Sequence, residues 1–527
     1  MVVRGLETTR KALAAAVAST TLCVALVSPM AQAQETTAEV RGVVVNSTGT
    51  PLEGATIIVT SKSTGISKTV EANANGGYSV RGLPAGVVYD VEVTADGLQK
   101  SMTKDVSLTV GQSAVLNYNL STVEEVLVTG TQVVVAQTAV GPNAIFDIAA
   151  LQDSPSVNRN INDIIQQDPR LYVDQSRGDI DAVQCNGANP RYNSLTVDGV
   201  RLNDGFGLNS NGYPTQRMPF PYDAISSVAV EMAPMSVVYG GFSACNINAV
   251  TKTGRNEIYG SAFFDYGSDQ LRGDKLEGDS IAQQDYSETR YGFELGGALI
   301  QDKLFFYGAY EKYDGADLNN RGAIGSGAVN EVPVTQAELD RIAQIARDVY
   351  GYEPGRTVSE AFDFDDEKYL VKLDWYASDS QRLSMTYMHN DSFNFTPSDG
   401  DLDEFEFDKH FYKRGAELTT YNINWYADWS DNLSTEVRYS YSEVDFLQAS
   451  VSGLDFAEFR IELDEVDVYL GQDDSRQAND LDWEVEQLVA RGTYTFGDHS
   501  ITFGYERDSS DIFNLFYQHV DTEIRFD

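Results

Sequence analysis

The sequence predicts a mainly β protein: an N-terminal sandwich, a mixed α+β segment, and the first part of a transmembrane antiparallel β-barrel. Three observations carry this expectation. The first is a hairpin in which Thr419, Tyr421, Ile423, Trp425, Ala427 and Trp429 share one face and Thr420, Asn422, Asn424, Tyr426 and Asp428 the other. After Ser430-Asp431-Asn432 the alternation resumes through Leu433, Thr435, Val437, Tyr439 and Tyr441. Period-two alternation this long exceeds an ordinary globular strand and suits a tilted membrane-crossing one. The second is that short turns alternate with long connections, placed at 314–363, 391–416 and 442–480, as the two rims of a membrane barrel require. The third is a chain that reads as exported yet holds no apolar run long enough for a spanning helix.

The export signal is expected in residues 1–33. Arg4, Arg10 and Lys11 open it, Ala12 to Val27 forms a short apolar core, and Ala31-Gln32-Ala33 makes an A-x-A cleavage site. With 38 basic and 79 acidic residues the formal charge is -41, which excludes nucleic-acid binding through phosphates. Beyond Cys23, only Cys185 and Cys245 remain. An even pair in an oxidising compartment favours a disulfide over a metal site, since neither belongs to a C-x-x-C motif. Histidine occurs only at 389, 410, 499 and 519, so the first 388 residues cannot build a Ser-His-Asp site or a His-ligated zinc site. We therefore expect no enzyme activity, no catalytic residues, no resident metal and no cofactor.

Along the chain, short β-prone runs between Glu39 and Leu120 (Val40 to Val45, Ala55 to Thr60, Tyr78 to Arg81, Tyr89 to Thr94, Ala114 to Leu120) are punctuated by Gly49-Thr50-Pro51, Asn75-Gly76-Gly77 and Leu83-Pro84-Ala85-Gly86. Such spacing argues for a sandwich. The phrases G-T-P-L-E-G-A and G-Y-S-V-R-G-L-P-A-G resemble the carboxypeptidase regulatory-like domain, a transthyretin-like Greek-key sandwich often described as carbohydrate-binding-like. Nothing in the segment has the look of a ligand site, and a structural spacer is the plainer reading. The β-prone stretch from Thr122 to Gly130 follows.

Residues 131–256 are mixed and rich in Gly and Asn, with a short helix expected from Asn158 to Gln167. Asn189 to Asp204 (N-P-R-Y-N-S-L-T-V-D-G-V-R-L-N-D) and Ala229 to Gly254 resemble the plug of TonB-dependent outer-membrane receptors, in the family's order and spacing. The resemblance assigns motif roles to Asn193, to the Asp198-Gly199 and Tyr239-Gly240 turns, and to Thr251 and Gly254 in the exit strand. It also makes Glu124, Glu125, Val126, Leu127, Val128, Thr129 and Gly130 a TonB box, a segment that works by β-augmentation against a periplasmic partner.

From Glu257 hairpins repeat: Ile258 to Tyr266, Arg290 to Ile300 with Leu304 to Tyr313, Lys368 to Tyr376 with Arg382 to Asn390, and Glu484 to Phe496 with Ser500 to Glu506. Thr335-x-x-Glu338 predicts a capped helix from Gln336 to Tyr350, with Leu339, Ile342, Ile345 and Ala346 on one face. Aspartates and glutamates at 399–408 and 464–474 alternate closely, but they lack EF-hand spacing and read as a solvated acidic face rather than a calcium site. The 29 Tyr and 24 Phe suit aromatic girdles, while Phe393, Phe395, Phe405 and Phe407 read as loop aromatics able to meet a ligand.

The whole resembles a TonB-dependent receptor of the Oar-like branch: signal 1–33, sandwich 34–121, box 122–130, plug 131–256 and barrel 257–527. It implies a Gram-negative outer-membrane protein with its N-terminal domain in the periplasm. The implied partners are TonB, the inner-membrane energising complex and outer-membrane lipid, with an unidentified ligand (chelate, glycan or peptide). The implied function is energy-coupled uptake of a ligand too large or scarce for porins; a surface carbohydrate-binding or adhesion protein with a static plug is the alternative. Nine or ten strands are countable where the family closes a barrel with more, and no terminal aromatic closes the chain, so the sequence is expected to be the N-terminal part of a longer protein.

Overall fold

The computed structural model describes residues 35–526 apart from 112, 123–135, 138–142, 155, 157, 175–181, 207, 210, 235, 274, 277, 281–283, 320, 358–360, 399, 455, 498 and 521–522. The expected signal at 1–33 and the TonB box at 124–130 lie outside the described residues.

Two sheets form the N-terminal sandwich. One sets Thr37–Asn46 between Gly77–Pro84 and the parallel partners Ser113–Val115 and Tyr118–Leu120, with Ala136–Gln137 pairing on Ser113–Val115. The other runs Ser67–Glu71, Thr56–Ser61, Val87–Thr94, Ser101–Leu108. Alternate side chains from both sheets (Val40, Val44, Ile57, Val59, Val91, Val93) close a core of its own. Ser67–Glu71 and Ser101–Leu108 were not expected as strands. Both are sheet edges with few buried side chains, so neither needs the apolar alternation that marks an inner strand.

The middle segment is built on a five-stranded sheet, ordered Asn143–Phe146, Ile225–Glu231, Asn246–Thr251, Ser194–Val197, Val200–Arg201. Its two central strands are buried at every position. Buried on both faces, they carry polar residues (Ser226, Ser227, Glu231, Asn246, Asn248) beside the apolar ones. The helix expected over Asn158 to Gln167 is a single turn, Asn162–Ile165, with Ile164 and Ile165 in the core.

Nine strands, β1 (Tyr259–Ser268), β2 (Ser287–Ile300), β3 (Leu304–Asp317), β4 (Phe362–Ser378), β5 (Gln381–Thr396), β6 (Tyr412–Ser430), β7 (Leu433–Ser450), β8 (Ala478–Phe496) and β9 (His499–Tyr517), pair in chain order as an antiparallel meander. The sheet is open, with β1 and β9 at its edges. The longest strands have 19 residues, where about 9–11 suffice to cross the hydrocarbon. They therefore project well beyond it, and the connections shrink to 318–361, 397–411 and 451–477. Those extensions escaped notice because, outside lipid, neither face needs apolar residues.

The alternation has a clear meaning in space. On β6, Tyr421, Ile423, Trp425 and Trp429 are exposed on the outer face, while Thr420, Asn422 and Asn424 are buried on the inner one. The middle segment fills that inner side: its core is continuous with Tyr307, Leu370, Leu418, Val444 and Trp483 of the barrel wall.

Beyond the long-connection rim, the connections fold together. The helix Gln336–Tyr350 has its capping box at Thr335 and Glu338 and ends at Gly351, whose φ of 66° suits a left-handed cap. It packs on a sheet ordered Glu404–Glu406, Asp467–Leu470, Glu458–Glu462, Glu523–Phe526. The buried face is Leu339, Ile342, Ala343 and Ala346; Ile345 is exposed, lying about 120° around the helix from that stripe.

We expect Ile423→Arg to destabilise the full-length protein by about 2–4 kcal/mol at the bilayer midplane and by less nearer either interface. Reversible urea unfolding in lipid vesicles measures it, with Ile423→Leu as the near-neutral control.

Candidate functional site

The middle segment and the barrel meet along a seam of buried charge, centred on the Asp198-Gly199 turn. Ser194–Val197 and Val200–Arg201 leave only these two residues to reverse the chain, and both have positive φ (47° and 82°), the geometry for which an Asp-Gly pair is suited. The turn brings Asp198 into the wall. Its Oδ2 accepts from Thr251 Oγ1 at 2.6 Å and Lys372 Nζ at 3.0 Å, and its Oδ1 from the Thr251 amide at 2.9 Å. Its carbonyl accepts from Asn422 Nδ2 at 3.2 Å. Burial favours the neutral acid, but the Lys372 ammonium and the Thr251 donors outweigh it and hold the carboxyl below its usual range. Gly199 is required by contact as well as by φ: a Cβ there would stand 1.4 Å from a terminal nitrogen of Arg438 on β7.

Further along the seam, Lys252 sits 2.8–2.9 Å from both Glu294 oxygens on β2, and Thr253 Oγ1 donates to Asp374 on β4 at 2.5 Å. Arg159 pairs with Asp223 at 2.6 Å and Glu311 on β3 at 3.4 Å, with its guanidinium 3.5 Å above the Phe263 ring. Gly254 lets the exit strand lie against the wall, since a Cβ would come 2.5 Å from the carbonyl oxygens of Gly297 and Phe306.

Asp198, Gly199 and Thr251 thus converge on one node, and Gly254 lies at the adjoining exit. Asn193 sits at the other end of the same strand, where its Nδ2 donates to the Val183 carbonyl at 2.7 Å. There Cys185 and Cys245 form a disulfide, Cα atoms 6.0 Å apart, which ties the hairpin Leu171–Asp174/Ala182–Cys185 to the start of Asn246–Thr251. Tyr239 faces the sandwich, its hydroxyl 3.4 Å from Glu231, and burial raises its pKa well above the usual value. The left-handed residue after it is Gly241 (φ 75°), beside Arg201, rather than Gly240.

The four aromatics proposed to meet a ligand are placed differently. Phe405 and Phe407 are buried in the core of the folded connections, because the sheet and helix there need an apolar interior. Phe393 and Phe395 lie in β5, on the outer-facing register of Leu383 and Met385, with Lys413 Nζ 3.5 Å over the Phe393 ring. None of the four faces the lumen. Lys372 and Lys252 had not been singled out. Lys372 was detectable: with Tyr369, Val371, Leu373 and Trp375 outward, a lysine at 372 is a charge on the inner face. Among the described residues no cluster of His, Cys, Asp or Glu is arranged to hold a metal ion.

Comparisons with known proteins agree with this architecture. Residues 250–527 match the outer membrane beta barrel domain family, residues 135–245 the TonB-dependent receptor plug domain, and residues 39–121 the carboxypeptidase regulatory-like domain. The TonB-dependent transporter Oar of Myxococcus xanthus is 24% identical over 276 residues, 49% of this chain and 25% of the relative. Among solved structures, the outer membrane transporter YddB from Escherichia coli superposes with a TM-score of 0.51 at 11% identity, covering 70% of this chain and 48% of that one. The chain thus spans a quarter of the curated relative and about half of the solved transporter.

A lipid-facing antiparallel wall with a separately folded body pinned inside it defines a plugged outer-membrane barrel. The chain belongs to the outer-membrane β-barrel family, in the form that carries a TonB-dependent receptor plug, and resides in the Gram-negative outer membrane. This is a family of receptors and transporters, not of enzymes.

Removing one partner of the buried node should cost far more than removing both. We expect Asp198→Asn or Lys372→Met each to loosen the plug by about 3–5 kcal/mol, with Asp198→Asn/Lys372→Met recovering much of it. Hydrogen exchange at Asn246–Thr251 reads this. The carboxyl's pKa is depressed in the fold, so its contribution is complete above the ordinary value of about 3.9 and is lost only as pH falls through the lower folded value. Protection of that strand should therefore be flat across neutral and mildly acid pH and drop only in strong acid.

Proposed function

We propose that the protein takes up, across the outer membrane, a ligand too large or too scarce for porins, and that TonB with the inner-membrane energising complex drives it. In this reading the coupling segment is Glu124–Gly130, between a sandwich at 34–121 and a plug at 131–256. The observation that carries it is the character of the plug–wall seam. The seam relies heavily on ion pairs and hydrogen bonds, at Asp198–Lys372, Lys252–Glu294 and Arg159–Glu311. Such contacts can be exchanged for water one by one, whereas an all-apolar seam would have to expose its whole area at once. The plug is disulfide-bonded, and its apolar core continues into the wall at Tyr307, Leu370, Leu418 and Trp483. A body cross-linked within and held at its boundary in part by exchangeable polar contacts is suited to shifting as a unit. The ligand is a chelate, glycan or peptide.

Deleting 124–130 from the full-length protein should abolish capture by immobilised periplasmic TonB domain. Barrel assembly, read by heat-modifiable migration on gels, should persist. Undiminished TonB capture by the deletion protein would refute the coupling role.

A further inference from the structure

The residues that lead into the sandwich's first strand, Thr37–Asn46, lie between the plug and the barrel wall. They meet a single rung of that wall. Tyr426 on β6, Glu436 on β7 and Arg491 on β8 stand directly opposite one another across three paired strands. Thr36 Oγ1 lies 2.8 Å from the Tyr426 hydroxyl and 3.4 Å from Glu436 Oε1, and the Glu35 carboxylate meets Arg491 at 3.2 Å. Arg491 Nε in turn donates to Glu436 Oε2 at 2.8 Å, so the rung and the leading residues share one network.

The same residues hold the plug. The Glu35 carbonyl accepts from Asn248 Nδ2 at 2.7 Å, and Asn248 Oδ1 accepts from Thr196 Oγ1 at 3.0 Å, which ties the segment to two strands of the plug's sheet. The Thr36 methyl rests on the Asp198-Gly199 turn, where a Cβ at Gly199 would stand 2.7 Å from it.

Successive residues of the segment face different spaces. Glu35 and Thr37 border a cavity of about 290 Å³ that reaches toward the short turns, with Asp428 and Ser500 on its rim. Thr36 borders a smaller one of about 30 Å³ at the node itself, lined by Asp198, Thr251, Lys372 and Asn424. Tyr426 borders both, so Tyr426 and the segment stand between them. The smaller space has room for about two waters and the larger for many. Free passage between the two would matter to the plug. Water at the node would compete for its hydrogen bonds and raise the local dielectric, weakening the Asp198–Lys372 attraction.

We propose that residues 35–37 are a strap that seals the plug–wall seam. Seated, the strap keeps the larger cavity apart from the Asp198–Lys372 node; withdrawn, it joins the two spaces and lets water into the pairs that seat the plug. The proposal deepens the uptake reading by naming what controls the seam, and its test uses neither ligand nor TonB, so the two can fail separately.

Asn424→Cys puts a thiol on the wall of the smaller cavity. In the full-length protein in lipid vesicles, its rate of reaction with a charged methanethiosulfonate reads access to the node. The rate should be slow with the strap intact and rise by roughly tenfold or more in Glu35→Ala/Thr36→Ala, which removes hydrogen bonds to charged groups. Tyr426→Phe, which removes only the hydroxyl that Thr36 meets, should raise it less. Heat-modifiable migration checks that each variant assembles, and Tyr426→Phe decides alone if the double variant does not. Lys68→Ala/Arg81→Ala cuts the sandwich's contacts with Asp428 and Ser500 but leaves the strap, and should leave the rate unchanged. A rate unmoved by the strap-side variants overturns the proposal. So does an equal rise in Lys68→Ala/Arg81→Ala, because any loosening of the sandwich would then open the node.

Discussion

Every backbone amide and carbonyl in hydrocarbon must find a partner within the protein, and the rest of this structure follows from that requirement. It forces the strands of the wall into one continuous antiparallel ladder. Pairing in turn fixes side-chain direction, so each strand shows one face to lipid and the other to the lumen. The outer face can then be Tyr421, Ile423 and Trp425 while the inner face of the same strand is Thr420, Asn422 and Asn424. A polar lumen gives the seam its ion pairs and hydrogen bonds, beside apolar contacts at Tyr307, Leu370 and Trp483.

The plug answers that lumen with charges of its own. Buried ion pairs lose hydration as they gain attraction, so such a seam is weak evidence for stability and better evidence for specificity of seating. Asp198 is held by a lysine from β4, two donors from Thr251 and an amide from β6, and its turn admits no side chain where Gly199 faces Arg438. Seating at this node is set by geometry and charge together. At the plug's other end the Cys185–Cys245 bridge keeps the hairpin with the central strands, while one apolar core serves both the plug's interior and its contact with the wall. The sandwich adds a third layer, joined to the wall by the Lys68–Asp428 and Glu35–Arg491 pairs.

Much of this was legible from residue pattern. The period-two runs located the wall, and the capping box at Thr335 and Glu338 located the helix Gln336–Tyr350. The motif phrases marked Asp198 and Thr251 before anything showed that they touch. Other features left a weak trace or none. Ser67–Glu71 and Ser101–Leu108 are edge strands whose polar composition is indistinguishable from loop. The strand extensions beyond the bilayer lack a lipid face. Phe405 and Phe407 read as ligand aromatics because nothing local revealed that three connections share a core.

By itself the sequence determined what each segment can be: which runs alternate, which turns need glycine, which cysteines can pair, which chain can cross a membrane without a helix. These are local matters of dihedral preference and side-chain polarity, written within a few residues. Only the tertiary structure decided what each segment meets. That Lys372 lies against Asp198, Glu294 beside Lys252, and the sandwich beneath the mouth depends on contacts between residues tens to hundreds of positions apart. Charge pairing carries no periodicity along the chain, and so the partners could be named only once the wall had brought them together.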